Sequence, residues 1–200
     1  MSDAVPVGCR CGGVTGRVEN ASPMTGNRAI CYCVDCQAFA HFVGGEGILD
    51  ANGGSDIFQV APASLVLDTK TENLACVRLS EKGLHRWYAS CCRTPIGNTV
   101  SAKLPFIGLV QPFMKHGMSS RDEAIGPPRM YLKRASAVGA LPPGTKGVSL
   151  GAAAHLLRFF GGAYLHGRAR PNPLYADDGR PVVTPEVLTP FVRAALTTSA

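Results

Sequence analysis

The sequence predicts a mainly β protein, α+β overall, with a β-rich half at residues 1–100 and a helical C-terminal extension at 101–200. Three observations carry this. Short apolar runs, IFQV, SLVLD, LACVRL and HRWYA, recur through the first half, punctuated by Gly, Asn, Pro and Ser. The texture changes near residue 101. Two later segments carry helix signals. At 200 residues, 46% of them hydrophobic, the chain can bury a core without crosslinks.

The elements follow in order. Residues 34–42 allow one short helix. GGEGILDANGG (44–54) is a Gly-rich connection; its glycines could cradle a ligand, but it matches no phosphate-loop or dinucleotide pattern. LPFIGLVQPFM is apolar and broken by Pro105 and Pro112, and RDEAIGPPRMYLKRASAVGALPPGTKG, with two Pro pairs, predicts an irregular connector. Ser149 suits an N-cap for a helix near 150–162, in which Leu150, Ala153, Ala154, Leu156, Leu157 and Phe160 recur at helical spacing. That stripe is expected to pack against the β-rich half or another copy of the chain, with Gly161-Gly162 stopping or bending the helix. PNP breaks the chain at 171–173. A last helix is expected near 185–196, with Thr184 as N-cap, Pro185 in the first position, Glu186 in the first turn and Arg193 near the end. No internal repeat is visible.

Charge and targeting exclude several classes. No run of 18 apolar residues is present, so no membrane span is expected. MSDAVPVGCRCGG lacks a basic stretch followed by an apolar one, so a cytoplasmic protein is expected. Net charge is +6. Residues 1–100 hold 8 Lys and Arg against 9 Asp and Glu, and residues 101–200 hold 12 against 5. The basic half could attract an anion, but its Lys and Arg are scattered with few aromatics, so no nucleic-acid groove is indicated.

Eight cysteines then need a reason in a reducing compartment, where clustered thiols bind metal or do redox chemistry. Cys76, alone in LACVRL, reads as a buried structural thiol. Cys9-Arg10-Cys11 is a C-x-C pair whose sulfurs share one side of an extended strand. A structural zinc needs four ligands. The second pair would come from Cys91-Cys92, after HRWYA and before Arg93-Thr94-Pro95. Neighbouring side chains diverge on a strand, so Cys92 is the firmer ligand, and Cys91 joins only if the backbone turns there. Cys31-x-Cys33-x-x-Cys36 offers three thiolates from one short segment, leaving a tetrahedral corner. An open corner suits catalysis on a substrate thiol; His41, Asp35 or a distant side chain would instead close it, and a metal-free redox role is the third reading. Asp35, His41 and His85 are the candidate proton carriers.

CRCG (9–12), CYCVDC (31–36) and WYASCCRTP (87–95), in that order, resemble the glutathione-dependent formaldehyde-activating enzyme family, which includes centromere-protein-V-like domains. The likeness covers residues 5–100, and the chain looks like an extended bacterial branch. It implies an Mss4-like β-rich zinc scaffold and two zinc ions, one structural and one labile. It implies structural ligands at Cys9, Cys11 and Cys92, and a catalytic trio of Cys31, Cys33 and Cys36. The implied reaction is carbon–sulfur lyase-like, on a thiol adduct of a small aldehyde, with glutathione as the thiol. The sequence departs from the family pattern twice. The last cluster is usually C-x-x-C-G, but Ala89 stands three residues before Cys92 and Arg93 replaces the Gly, so the fourth structural ligand is left open, with Cys91 the available substitute. Gln37-Ala38 follow Cys36 where basic residues are common, so no cation for a substrate carboxylate is near in sequence. A non-catalytic zinc-stabilised binding module and a thiol redox sensor are the rival functions.

Overall fold

The computed structural model describes residues 4–45, 47–68, 71–116 and 120–198. The first half supplies β1 (Val5–Gly8), β2 (Thr15–Val18), β3 (Asn27–Cys31), α1 (Val34–Phe42), β4 (Ser55–Val60), β5 (Leu65–Leu67), β6 (Leu74–Arg78), β7 (His85–Ala89) and β8 (Pro95–Thr99). The second supplies β9 (Ile107–Val110), α2 (Arg121–Ile125), β10 (Met130–Leu132), α3 (Leu150–Leu165), β11 (Glu186–Val187) and α4 (Pro190–Thr198). The protein is β-rich, with helices on its flanks.

The strands form two sheets. β1-β2-β5 is a small antiparallel sheet, and β10-β3-β4-β9-β8-β7-β6-β11 is a large one. The large sheet is antiparallel inside and parallel at both edges, where β10 lies along β3 and β11 along β6. β9 sits between β4 and β8, with Phe58 opposite Leu109 and Asn98 opposite Gly108. The sheet therefore runs through the boundary at residue 100.

Alternation along the strands separates two apolar layers. One face of the large sheet packs Phe58, Cys76, Trp87, Ile96 and Leu109 with Val5, Val7 and Val18 of the small sheet, and takes in Leu174 and Tyr175 from the C-terminal half. The opposite face carries Val77, against which α1 lays Ala38 and Phe39, with Leu79 and Leu188. α1 and its cysteines thus lie on the far side of the sheet from the main core.

Two helical expectations are corrected. α3 starts at the expected cap, where Ser149 Oγ accepts from Ala152 N at 3.2 Å. Its buried face is Ala152, His155, Phe159 and Ala163, not the stripe read from the sequence. Leu150 is 92% exposed and Leu157 76%. The small side chain of Ala152 packs against Ala29 and Met130, and His155 Nε2 bonds Gly26 O at 2.9 Å, so a small, polar-anchored face wins over the larger leucines. Gly161 and Gly162 lie inside the helix, which continues to Leu165. The last helix begins five residues later than expected. Glu186 and Val187 instead pair with Val77 and Arg78 at the edge of β6, and Leu188 N donates to Arg78 O at 2.9 Å. Unpaired backbone groups on a sheet edge favour a strand there. The second Thr-Pro, Thr189-Pro190, starts the helix, with Val192 N donating to Thr189 Oγ1.

Candidate metal centres

Cys9 and Cys11 sit in the loop that closes the β1–β2 hairpin, where Cys9 N donates to Val14 O at 2.8 Å and Gly12 takes φ 79°. Cys91 and Cys92 sit in the β7–β8 turn, closed by Ala89 N to Thr94 O at 2.9 Å and Arg93 N to Ala89 O at 2.8 Å. Arg93 adopts φ 57°, so the backbone reverses and the two adjacent cysteines converge. Arg10 stitches the loops together, its N donating to Thr94 Oγ1 at 3.0 Å and its Nη2 to Cys92 O at 3.2 Å. Gly13 leaves room for this: a Cβ there would lie 2.9 Å from Cys91 Sγ.

The four sulfurs lie within 4.8 Å of one another. Cys9–Cys11 is 3.6 Å, Cys9–Cys91 3.8 Å, Cys11–Cys91 3.1 Å and Cys91–Cys92 3.9 Å, and all four thiols are free. A tetrahedron of sulfurs about 2.3 Å from a zinc has edges of about 3.8 Å, so the cluster fits a closed tetrahedral site. Cys91, the further candidate in the sequence, belongs to the group. Burial pushes the Cys92 thiol up, but hydrogen bonds from the Thr94 side chain and from backbone N–H groups of Cys11 and Thr94 outweigh it and hold Cys92 near about 6. Cys91, hydrogen-bonded first to Cys11, is pushed up to about 12: crowded thiols cannot all ionise without a cation.

The second group is Cys31, Cys33 and Cys36, also within 4.8 Å. Cys31 ends β3. Cys33 caps α1 with extended backbone (φ −67°, ψ 147°), and its sulfur accepts from Cys36 N at 3.3 Å. Cys36 is the third residue of α1. A strand end and a helix N-terminus so aim three sulfurs at one point, where helix N–H groups favour negative charge. Cys33 is held well below the ordinary thiol range, chiefly by hydrogen bonds from Cys31 and Cys36, while those two are raised. Cys31 and Cys36 are buried and Cys33 is half-buried. Both groups could hold metal ions. Among the described residues no fourth Cys, His, Asp or Glu joins the trio.

The other sequence candidates lie apart. Asp35, in the first turn of α1, pairs with Arg193 of α4 at 2.9 Å. His41 is in the last turn of α1. His85 faces the other side of the sheet, its Nδ1 3.1 Å from Tyr175 Oη and its ring 6.4 Å from that of Trp87. Cys76 is buried opposite Trp87, outside both groups, and burial pushes its thiol up to about 12.

The trio's closest cation was not foreseen. Arg86, in β7, is 2% exposed. Its Nη1 lies 3.9 Å from Cys36 Sγ and donates to Asn98 Oδ1 at 3.1 Å, and its guanidinium stands 5.5 Å from the centre of the Phe39 ring. Alternation in HRWYA would have put Arg86 opposite Trp87, but no sequence signal told which face α1 covers. Arg93 links the two centres: its guanidinium lies 4.7 Å from the Phe42 ring centre and Nη2 donates to Phe42 O at the end of α1. A cavity of about 950 Å³ runs beside Val34, between Leu79, Leu188 and Arg193.

No described helix is long and apolar enough to cross a membrane. Residues 1–186 match the model of a family described as a family of unknown function (DUF6151). No curated protein matches the chain.

Proposed function

The chain belongs to that family of unknown function, and we propose that its Cys31–Cys33–Cys36 trio is the working centre of a cytoplasmic, zinc-dependent, carbon–sulfur lyase-like protein. Its substrate would be a thiol adduct of a small aldehyde, of the glutathione–formaldehyde type. The reading places the chain beside the glutathione-dependent formaldehyde-activating enzymes and their Mss4-like scaffold. The carrying observation is a three-sulfur group to which no described side chain adds a fourth ligand. The four-cysteine group is the structural counterpart, joining the β1–β2 and β7–β8 turns.

Zinc on the trio would supply a positive charge that lowers a substrate thiol's pKa. Three thiolates make a weak Lewis acid, which suits thiol binding better than water activation. Half-buried Cys33 marks the side from which substrate reaches the group, and the N–H groups of the first turn of α1 favour the negative charge gathered there. In the reaction, the thiol sulfur bonds to the aldehyde carbon, the carbonyl π electrons move to oxygen, and the thiol proton ends on that oxygen. The reverse releases the aldehyde. Asp35, between Cys33 and Cys36 in sequence, is the retained proton carrier, and its pairing with Arg193 would have to open for that role. His41 and His85 take no part in this reading.

The test is zinc release to a chelator from wild type and Cys33→Ala, with NMR detection of the S-hydroxymethyl adduct from glutathione and formaldehyde. Two release phases in wild type, the faster absent in the variant, with the adduct formed faster than the uncatalysed background only with wild type, are expected. Two phases with the adduct formed only at the uncatalysed rate would leave a binding module. A single slow phase with a disulfide in the trio would make the protein a redox sensor.

A further inference from the structure

We propose that Arg86 is the fixed counter-ion of the thiolate trio, a positioning residue that lets three thiolates and a divalent cation sit inside the protein. This rests on the reading of the trio as a metal site. Two arginines of the large sheet are buried, and they are handled differently. Arg28, 6% exposed, is held by Asp56 through Nε at 3.0 Å and Nη2 at 2.8 Å and by Asp122 at 2.5 Å. Arg86 is more deeply buried, yet among the described residues no carboxylate pairs with it. Its contacts are the Asn98 amide oxygen, the Phe39 ring face and Cys36 Sγ. The first two are neutral. A charge buried without an opposite charge is strongly disfavoured, so the anion belonging to Arg86 has to be the sulfur group.

The charges then balance. Three thiolates and one divalent ion carry −1, and Arg86 supplies +1. The four-cysteine group would carry −2 with the same ion, and it sits where Cys11 and Cys91 are exposed and water screens the excess. A metal-bound trio with Arg86 is neutral only while its remaining corner holds a neutral donor. An arriving thiolate would add a charge that nothing buried offsets, so a bound thiolate would pass its electron pair readily to an aldehyde carbon. Arg86 so stands in for the cation that the sequence lacks after Cys36, though it acts on the sulfurs.

The experiment loads full-length wild type, Arg86→Gln and Arg86→Lys with cobalt(II). It follows the sulfur-to-cobalt charge-transfer absorption during competition with a chelator, with circular dichroism as the fold control. Wild type should hold two ions of different affinity. Arg86→Gln should keep the tighter ion and hold the second about 10–100-fold more weakly. Arg86→Lys, which keeps the charge, should recover most of that loss. Equal second-ion affinity in wild type and Arg86→Gln would overturn the counter-ion role while leaving the trio as a metal site. Wild type holding one ion would instead overturn the trio reading. If Arg86→Gln fails to fold, Arg86→Lys decides: near wild-type affinity supports the proposal. A loss in Arg86→Lys as large as that expected for Gln, or a failure to fold there too, assigns Arg86 to packing and overturns it.

Discussion

Arg193 Nη2 donates to Asp35 Oδ1 at 2.9 Å, tying α4 to the first turn of α1, one residue from Val34 and two from Cys33. The side chains are 41% and 39% exposed, so the pair itself is worth little, about 0–1 kcal/mol. Leu196, packed against the Ala38–Phe39–Leu188 cluster, matters more. Arg193→Ala should therefore lower stability by less than about 1 kcal/mol and leave metal content unchanged. Truncation after Thr189 should speed metal loss from the trio severalfold in a chelator assay, with the four-cysteine ion unaffected. Equal release rates would show that the packing of α4 on α1 does not hold the trio's ion.

The four-cysteine group should carry much of the folding free energy. Structural zinc in small zinc peptides is worth about 10–16 kcal/mol. Cys9→Ser and Cys91→Ala are expected to lose the tighter ion alike and to melt far below wild type. A Cys91→Ala variant with wild-type metal affinity and melting would remove Cys91 from the ligand set.

Cys76 should be silent. It is 3% exposed, and burial pushes its thiol up to about 12. Alkylation of the native, metal-loaded protein should miss it, since the thiolate is the reacting form. Cys76→Ala should cost about 1 kcal/mol from lost packing and leave the metal count unchanged. A fall in bound metal would contradict the assignment.

His85 should make stability depend on pH. Trp87 Nε1 donates to Thr99 Oγ1 at 2.8 Å, the Thr99 hydroxyl is hydrogen-bonded to Tyr175 Oη at 2.7 Å, and Tyr175 Oη lies 3.1 Å from His85 Nδ1. The folded pKa of His85 is lowered, first by burial and then by the charge of Arg78, while the unfolded value is near about 6.5. Between the two values the unfolded chain binds more protons. The contribution is therefore complete above about pH 6.5 and shrinks as pH falls below it. The difference between wild type and His85→Gln in denaturant midpoint should narrow from pH 7.5 to pH 5. A constant difference would contradict a His85 whose burial disfavours its protonation.

The sequence was most legible where chemistry is local. C-x-C and C-x-C-x-x-C spacing already grouped the cysteines, because sulfurs two and three residues apart can share one ion. The helix after the trio and the Ser149 cap were equally plain. Contacts distant in sequence were not. Cys91 joins its group because Arg93 takes a left-handed conformation that no neighbour advertises. Arg86 meets Cys36 only because α1 covers that face of β7, and the start of α4 moved because a distant sheet edge captured Glu186 and Val187. The stripe in α3 failed for a related reason: hydrophobicity alone ranked Leu150 and Leu157 above His155, whose bond to Gly26 fixes the helix rotation.

The two sulfur groups are nested along the chain. Cys11 and Cys91, 3.1 Å apart through their sulfurs, are separated by 80 residues, and the whole trio lies within that span. An ion there would act as a crosslink around a long loop. By chain-entropy reasoning for crosslinks, closing a loop of that size is worth about 4–5 kcal/mol. Dependence between the centres would then run one way. Emptying the trio leaves the crosslink closed and β3 and α1 in place. Opening the crosslink frees the β7–β8 turn, and with it Arg93, which holds the end of α1 at Phe42. The outer ion would so be a precondition for the inner one. During synthesis the inner group could not be locked in place until Cys92 had left the ribosome.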